Sequence, residues 1–228
     1  MQSPIKLVTE TALPLTSSEN LLSIEYPLEQ SYQGEFVGHI PAHGNFKLES
    51  SNPPLIQFRG RKFKLDFVHI HHCSEHLVDT DDPSDYEVHF LHTPVAGTLD
   101  DPKVVIGILY RISDTLPSKH GLDEFSKGLL TRKNLKLMGK STKSPSHQIT
   151  PGKFFPVLPG GETVDMQNWF HYEGSLTSYP YSEDVNWFVM KKEAIVSSNY
   201  TTELNEYAEQ HPRGLQPLSR RLVVRSFS

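Results

Sequence analysis

The stretch from Phe63 to His92, FKLDFVHIHHCSEHLVDTDDPSDYEVHFLH, holds six of the chain's twelve histidines. Its first half alternates: Leu65, Phe67, His69 and His71 interleave with Asp66, Val68, Ile70 and His72. A strand turns successive side chains to opposite faces, so His69 and His71 share one face, about 7 Å apart along the strand. Residues 79–85, DTDDPSD, have the composition of a turn. The chain then returns through Tyr86–His92, where Glu87, His89 and Leu91 share a face. Paired as a hairpin, the two runs bring His69, His71 and His89 to one side. Three imidazoles with an open fourth position are the donor set of a catalytic zinc site.

Working outward, Leu21–Tyr26, Glu35–His39, Phe46–Glu49, Leu55–Phe58 and Lys62–His72 read as strands, with turns at Pro41–Gly44 and Ser51–Pro54 and a tight connection at Arg59-Gly60. Lys103–Ile112, KVVIGILYRI, is almost continuously apolar and rich in β-branched residues, which predicts a strand buried on both faces. Asp123–Leu130 predicts a short helix, and residues 131–152, basic and polar with Pro145 and Pro151, a long surface loop. Thr163–Tyr172 and Val185–Lys191 read as strands flanking a Gly174–Pro180 loop. Val196–Glu209, with Ser197 and Ser198 as caps, is expected to be the longest helix, and Leu222–Ser226 a terminal strand. Seventeen prolines among many short strands make this a β-rich (α+β) chain with few helices.

Length and composition narrow the function classes. The chain has 228 residues, enough for one domain or at most two, and 36% hydrophobic residues suffice for a sizeable core. A net charge of −5 gives no basic footprint for nucleic acid or an anionic membrane. No apolar run approaches the roughly 18 residues of a membrane helix, and the N-terminus has no signal-peptide core. Cys73 is the single cysteine, which excludes an intrachain disulfide and points towards a reducing compartment such as the cytoplasm. The number of chains in an assembly is open.

His69-Ile70-His71, then Ser74-Glu75-His76, then Glu87-Val88-His89-Phe90-Leu91-His92 resembles the zinc-binding core of the α-class carbonic anhydrases. Gly174-Ser175-Leu176-Thr177-Ser178-Tyr179-Pro180, followed by Val185 and Trp187, is similar to that family's GSLTTPP segment. Gln216-Pro217-Leu218 with Arg221 is similar to its QPL..R, and Gln2-Ser3-Pro4-Ile5 to its QSPI. A lone His-x-His is weak evidence, whereas four blocks in the family's order span nearly the whole chain. The resemblance implies one domain over residues 1–228 with a large, twisted, mainly antiparallel central sheet and short peripheral helices. The chain starts inside a family motif, without the Trp-containing segment that normally precedes it, so a missing upstream leader is expected and the compartment stays open.

The resemblance further implies reversible hydration of CO2 to bicarbonate and a proton by zinc-bound hydroxide, with His69, His71 and His89 as Zn2+ ligands. The metal lowers the pKa of its water to about 7, an effect for which carbonic anhydrase is itself the standard example. Thr177 matches the threonine that accepts a hydrogen bond from the hydroxide, and Glu75 the carboxylate to which that threonine donates. Glu87 matches the carboxylate that orients the third histidine. Leu91, Val105, Leu176, Val185 and Trp187 match the apolar CO2 pocket, while each alone reads equally well as sheet core.

The chain also departs from the pattern. The loop from His71 to Glu75 is several residues shorter than usual, Phe67 stands where the family often has Gln, and His72 replaces a Trp. The proton-shuttle segment NGHxF aligns with His43-Gly44-Asn45-Phe46 so that His43 falls one residue early, which makes it a candidate shuttle out of register. Two alternatives accompany this reading. One is a catalytically weak or silent carbonic-anhydrase-like binding domain, although such proteins commonly lose a zinc histidine. The other is a cupin-type metalloenzyme with Glu75 as a ligand, against which stands the lack of glycine between Glu75 and His89.

Overall fold

The structure, a computed structural model, describes residues 1–16, 21–37, 45–98, 101–114, 121–137, 147–158, 161 and 163–228. Its dominant feature is a 13-stranded sheet. Ten of its strands run in the order His147–Ile149, Tyr32–Val37, Asn45–Leu48, Arg61–His71, Tyr86–Pro94, Lys103–Ile112, Val185–Met190, Trp169–Gly174, Val224–Arg225, Leu13–Pro14, while Leu55–Phe58 pairs with Arg61–His71 and with Leu22–Glu25, and Ala194–Val196 with Lys103–Ile112. The sheet is mixed. Most pairs are antiparallel, but Lys103–Ile112 runs parallel to both Val185–Met190 and Ala194–Val196. Among the described residues no helix is long and apolar enough to cross a membrane.

The apolar run at Lys103–Ile112 takes a central place for the reason its composition suggests: Val104 to Tyr110 are all buried, on both faces. Alternation divides them. Val104, Ile106, Ile108 and Tyr110 join Val68, Ile70, Val88 and Phe90 in one apolar layer. Val105 and Leu109 face the other way and join Trp187, Val189, Phe170 and Tyr172. The histidine-bearing face is this second one. Gly107 stands directly beside His89 in the ladder. A Cβ there would lie 2.9 Å from Glu87 Oε1, so the glycine leaves room for a buried carboxylate.

The alternation of the first histidine strand is broken where a regular reading places it unbroken. Leu65 pairs with His92 and Phe67 with Leu91, with Asp66 bulged out between them. Leu65 therefore packs in the opposite layer, with Val68 and Ile70, rather than on the face of Phe67, His69 and His71.

The helices differ from the sequence expectation. The longest is Gly121–Leu137, held by Leu122, Phe125 and Leu129 against the core. It continues to Leu137 because Arg132, Lys133, Leu135, Lys136 and Leu137 are good helix formers and no Gly or Pro intervenes. The expected 131–152 loop is thus helix at its start and, at its end, an edge strand His147–Ile149 followed by a 3-10 turn Pro151–Phe154. Val196–Glu209 is not one helix. Val196 ends a short strand beside Ile112, Ser197 accepts from Asn199 N at 3.2 Å to cap a 3-10 turn, and the helix spans only Thr201–Tyr207. The strand expected from Thr163 begins at Trp169, because Asp165 Oδ1 accepts from Gln167 N at 3.1 Å and Asn168 N at 3.0 Å and bends the chain.

Candidate metal centre

The ladder sets the site. His69 lies opposite His89 and His71 opposite Glu87, so the two strands present three imidazoles and a carboxylate on one face. Ring centroids are 4.5 Å apart for His69–His71, 4.5 Å for His71–His89 and 6.4 Å for His69–His89. These rings open onto a cavity of about 370 Å³ whose wall includes Leu91, Val105, Leu176 and Trp187, with Thr177 beside them. Val185 does not line it. It packs behind that wall with Val105 and Trp187.

Glu87 is fully buried and saturated with donors. Its Oε1 accepts from His76 Nδ1 at 2.7 Å and His89 Nε2 at 2.9 Å, and its Oε2 from Glu75 N and His76 N, each at 2.8 Å. Burial alone would raise its pKa, but the two histidines hold it well below the usual carboxylate range. With Nε2–H engaged, His89 keeps Nδ1 as its lone-pair nitrogen.

His71 is the unusual member. It is buried, and neither of its ring nitrogens has a hydrogen-bond partner. Glu75 Oε2 stands 3.4 Å from Nε2 and Glu209 Oε2 3.7 Å from Nδ1. Burial, reinforced by His69 and His89, drives its pKa well below the ordinary value, which leaves the neutral, ligating form. Glu75 is bound on one side by Arg213 N, 2.9 Å from Oε1, and by the Thr177 hydroxyl, while Oε2 has no partner. Burial pushes Glu75 up to about 8, and the nearby Glu87 and Glu209 add to this against the two hydrogen bonds.

Buried polar atoms without partners are costly, and a cation bound among them relieves that cost. Among the described residues, three sets of donors have ligand atoms within 4.8 Å of one another: His69–His71–Glu209, His71–Glu75–His89 and His76–Glu87–His89. The three expected histidines are brought to one cavity but are divided between these sets. His71 belongs to two of them. Imidazole and carboxylate donors around a neutral, unpartnered His71 suit zinc.

The remote sequence blocks meet behind this site. Ser3 N donates to Ser175 Oγ at 3.0 Å and Ser175 N to Ser3 Oγ at 3.1 Å. Gln216 N donates to Pro4 O at 2.7 Å, and Arg213 Nη1 to Ser3 O at 2.8 Å. Trp187 Nε1 donates to Ser175 O at 2.9 Å, which fixes the loop carrying Leu176 and Thr177. His43 lies outside the described residues. Glu209 and Tyr172, the latter 2.6 Å from His76 Nε2, were not singled out from the sequence. The one available signal was Phe67, which stands where the family often has Gln and whose ring lacks an amide oxygen.

The family model for eukaryotic-type carbonic anhydrase matches residues 1–227. The chain is 29% identical over 182 residues to a carbonic anhydrase of Nostoc sp., covering 75% of this chain and 57% of that protein. It is 28% identical over 185 residues to dioscorin DB3L of Dioscorea polystachya, covering 78% and 59%. It thus spans less than two thirds of the length of these curated relatives. A solved structure of the α-carbonic anhydrase of Thermovibrio ammonificans with sulfanilamide superposes with a TM-score of 0.67 at 21% identity, covering 98% of this chain and 86% of that one. The fold, the meeting of the four blocks behind the histidines and the match over residues 1–227 place the chain in the eukaryotic-type, α-class carbonic anhydrase family.

Proposed function

We propose that the chain is a zinc-dependent carbonic anhydrase that interconverts CO2 and bicarbonate. The observation that carries this reading is His71, buried and unpartnered at both nitrogens between His69 and His89 on a cavity whose wall is mostly apolar. His69, His71 and His89 would hold the metal, and Glu87 fixes the tautomer of His89. The metal supplies the Lewis acidity that lets water lose a proton near neutral pH. Thr177 donates its one hydroxyl proton to Glu75 and so can only accept from the attacking hydroxyl, which orients that group's lone pair towards CO2. Leu91, Val105, Leu176 and Trp187 give nonpolar CO2 a dry wall.

A second reading, a weak or silent binding domain, has support in Phe67 and in the 6.4 Å separation of the His69 and His89 rings. One experiment decides. Protein purified without added metal is analysed for zinc and assayed for CO2 hydration. One zinc per chain with hydration above the uncatalysed rate supports the enzyme. Zinc without hydration supports the silent domain, and neither zinc nor hydration removes the metal reading.

A further inference from the structure

The hydrogen bond from Thr177 to Glu75 depends on a third residue. Glu75 Oε1 accepts from Arg213 N at 2.9 Å, across 138 residues of sequence, and the carboxylate also accepts from the Thr177 hydroxyl. The Arg213 side chain is anchored twice. Its Nη1 donates to Ser3 O at 2.8 Å, and its guanidinium carbon lies 4.1 Å from the centre of the Tyr181 ring. At that distance the cation is attracted to the face of the ring. Tyr181 belongs to the turn that follows Thr177: Tyr181 N donates to Ser178 O at 2.8 Å, and Leu176 N to Ser182 O at 3.0 Å. It adopts a φ of 58°, in the left-handed region that costs a tyrosine energy. With Tyr181 38% exposed, burial returns little for that conformation. What the ring does gain is the face contact to Arg213 and an edge contact to Tyr179, a residue of the cavity wall, with centroids 6.4 Å apart.

We propose that Tyr181 is a positioning residue for CO2 hydration: stacked on Arg213, it holds the Arg213 N–H on Glu75, and Glu75 so held fixes the hydroxyl of Thr177. The consequence for catalysis rests on the zinc reading, whereas the contact itself does not. The stack ties the turn that carries Thr177 to the chain segment that carries Arg213, so the two groups that meet at Glu75 are set relative to each other. An oriented donor contributes to a reaction only while its support is fixed. The link from Arg213 to Glu75 runs through a backbone N–H. Replacing the Tyr181 ring therefore leaves every donor and acceptor of the chain chemically intact and changes only how firmly they are held.

Two measurements test this. In metal-free protein, hydrogen exchange of the Arg213 amide reports its bond to Glu75. Exchange is expected to quicken about tenfold in Tyr181→Ala and to stay at the wild-type rate in Tyr181→Phe, which keeps the ring face. Tyr181→Leu, which keeps apolar bulk without a ring, should follow Tyr181→Ala. In zinc-loaded protein, kcat/KM for CO2 is expected to fall about tenfold in Tyr181→Ala and Tyr181→Leu, with zinc affinity unchanged and Tyr181→Phe restoring the rate. Added to Thr177→Ala, Tyr181→Ala should cost nothing further, because the bond it supports is already gone. Unchanged exchange and kcat/KM in Tyr181→Ala and Tyr181→Leu overturn the proposal. So does an equal loss in Tyr181→Phe, and so does a full further loss in the Thr177→Ala background. Wild-type protein that holds no zinc or hydrates no CO2, yet shows Tyr181-dependent protection of the Arg213 amide, overturns the enzyme reading and leaves the stacking contact supported.

Discussion

Glu87 and His89, two residues apart on one strand, are hydrogen-bonded to each other, Oε1 accepting from Nε2 at 2.9 Å. The same carboxylate takes three further donors, from His76 Nδ1, His76 N and Glu75 N. A glutamine here keeps one oxygen but turns an NH2 towards N–H donors that then lack a partner. Glu87→Gln is therefore expected to weaken zinc binding about 10–100-fold. It should also lower stability by about 2 kcal/mol, the scale of a buried donor left unsatisfied. Chelator competition and denaturant midpoints of the metal-free protein read the two effects. Unchanged values in both would take Glu87 out of the centre.

His89 packs against Trp187, ring centroids 4.8 Å apart, and completes the proposed ligand set. His89→Ala is expected to lose stoichiometric zinc and CO2 hydration together. Full zinc content with normal hydration in that variant would refute the assignment.

Thr177 and Glu75 act on the orientation of the attacking group in this reading, not on the metal. Thr177→Ala is expected to lower hydration by roughly 100-fold while zinc stays bound, a size typical of removing one oriented hydrogen bond in an active site. Glu75→Gln should behave the same way. If Glu75→Gln instead releases zinc, the donor set His71–Glu75–His89 is the binding set and Glu75 is a ligand.

The parts of this molecule that were legible in the sequence are those fixed by local period or by uninterrupted apolar character. Lys103–Ile112 is central because Val104–Leu109 is uninterrupted by any polar side chain, and Glu87, His89 and Leu91 share a face because that strand pairs without interruption from Tyr86 to Leu91. The period-2 argument failed at Leu65, where a bulge at Asp66 exchanges the faces. It took no account of pairing irregularity, which the partner strand decides. Val196–Glu209 has helix-compatible residues throughout, but Val196 gains more by pairing beside Ile112 in the sheet. Glu209 was not legible at all, since only the long-range bridge to His71 brings it to the histidines.

Proton removal is the step for which the sequence offers least. His43 stands one residue early against the shuttle motif, and a one-residue shift in a regular strand turns a side chain to the other face. Turnover is then expected to rise with the concentration of a small imidazole buffer and to change little in His43→Ala. A buffer-independent wild-type rate that collapses in His43→Ala would identify His43 as the shuttle.

Acid stability isolates a different histidine. His92 is fully buried on the face opposite the cavity, with Nδ1 donating to Val104 O at 3.1 Å and Nε2 accepting from the Tyr26 hydroxyl. Burial lowers its pKa to about 3, with the carbonyls of Val104 and Phe90 pulling weakly the other way. In the unfolded chain the value returns to about 6.5. Between these two values the unfolded state binds the proton and the folded state does not. Stability attributable to His92 is therefore fully present above about pH 6.5 and falls as the pH drops towards 3, by up to roughly 1.4 kcal/mol per pH unit. His171, lowered to about 4 by burial, adds a slope of the same sign. Glutamine can donate to Val104 and accept from Tyr26 without titrating. His92→Gln should be less stable than wild type at pH 7 from imperfect packing, and the gap should narrow steadily down to pH 4. Urea midpoints across that range measure it, and a gap that stays constant with pH would show that His92 is not held neutral by the fold.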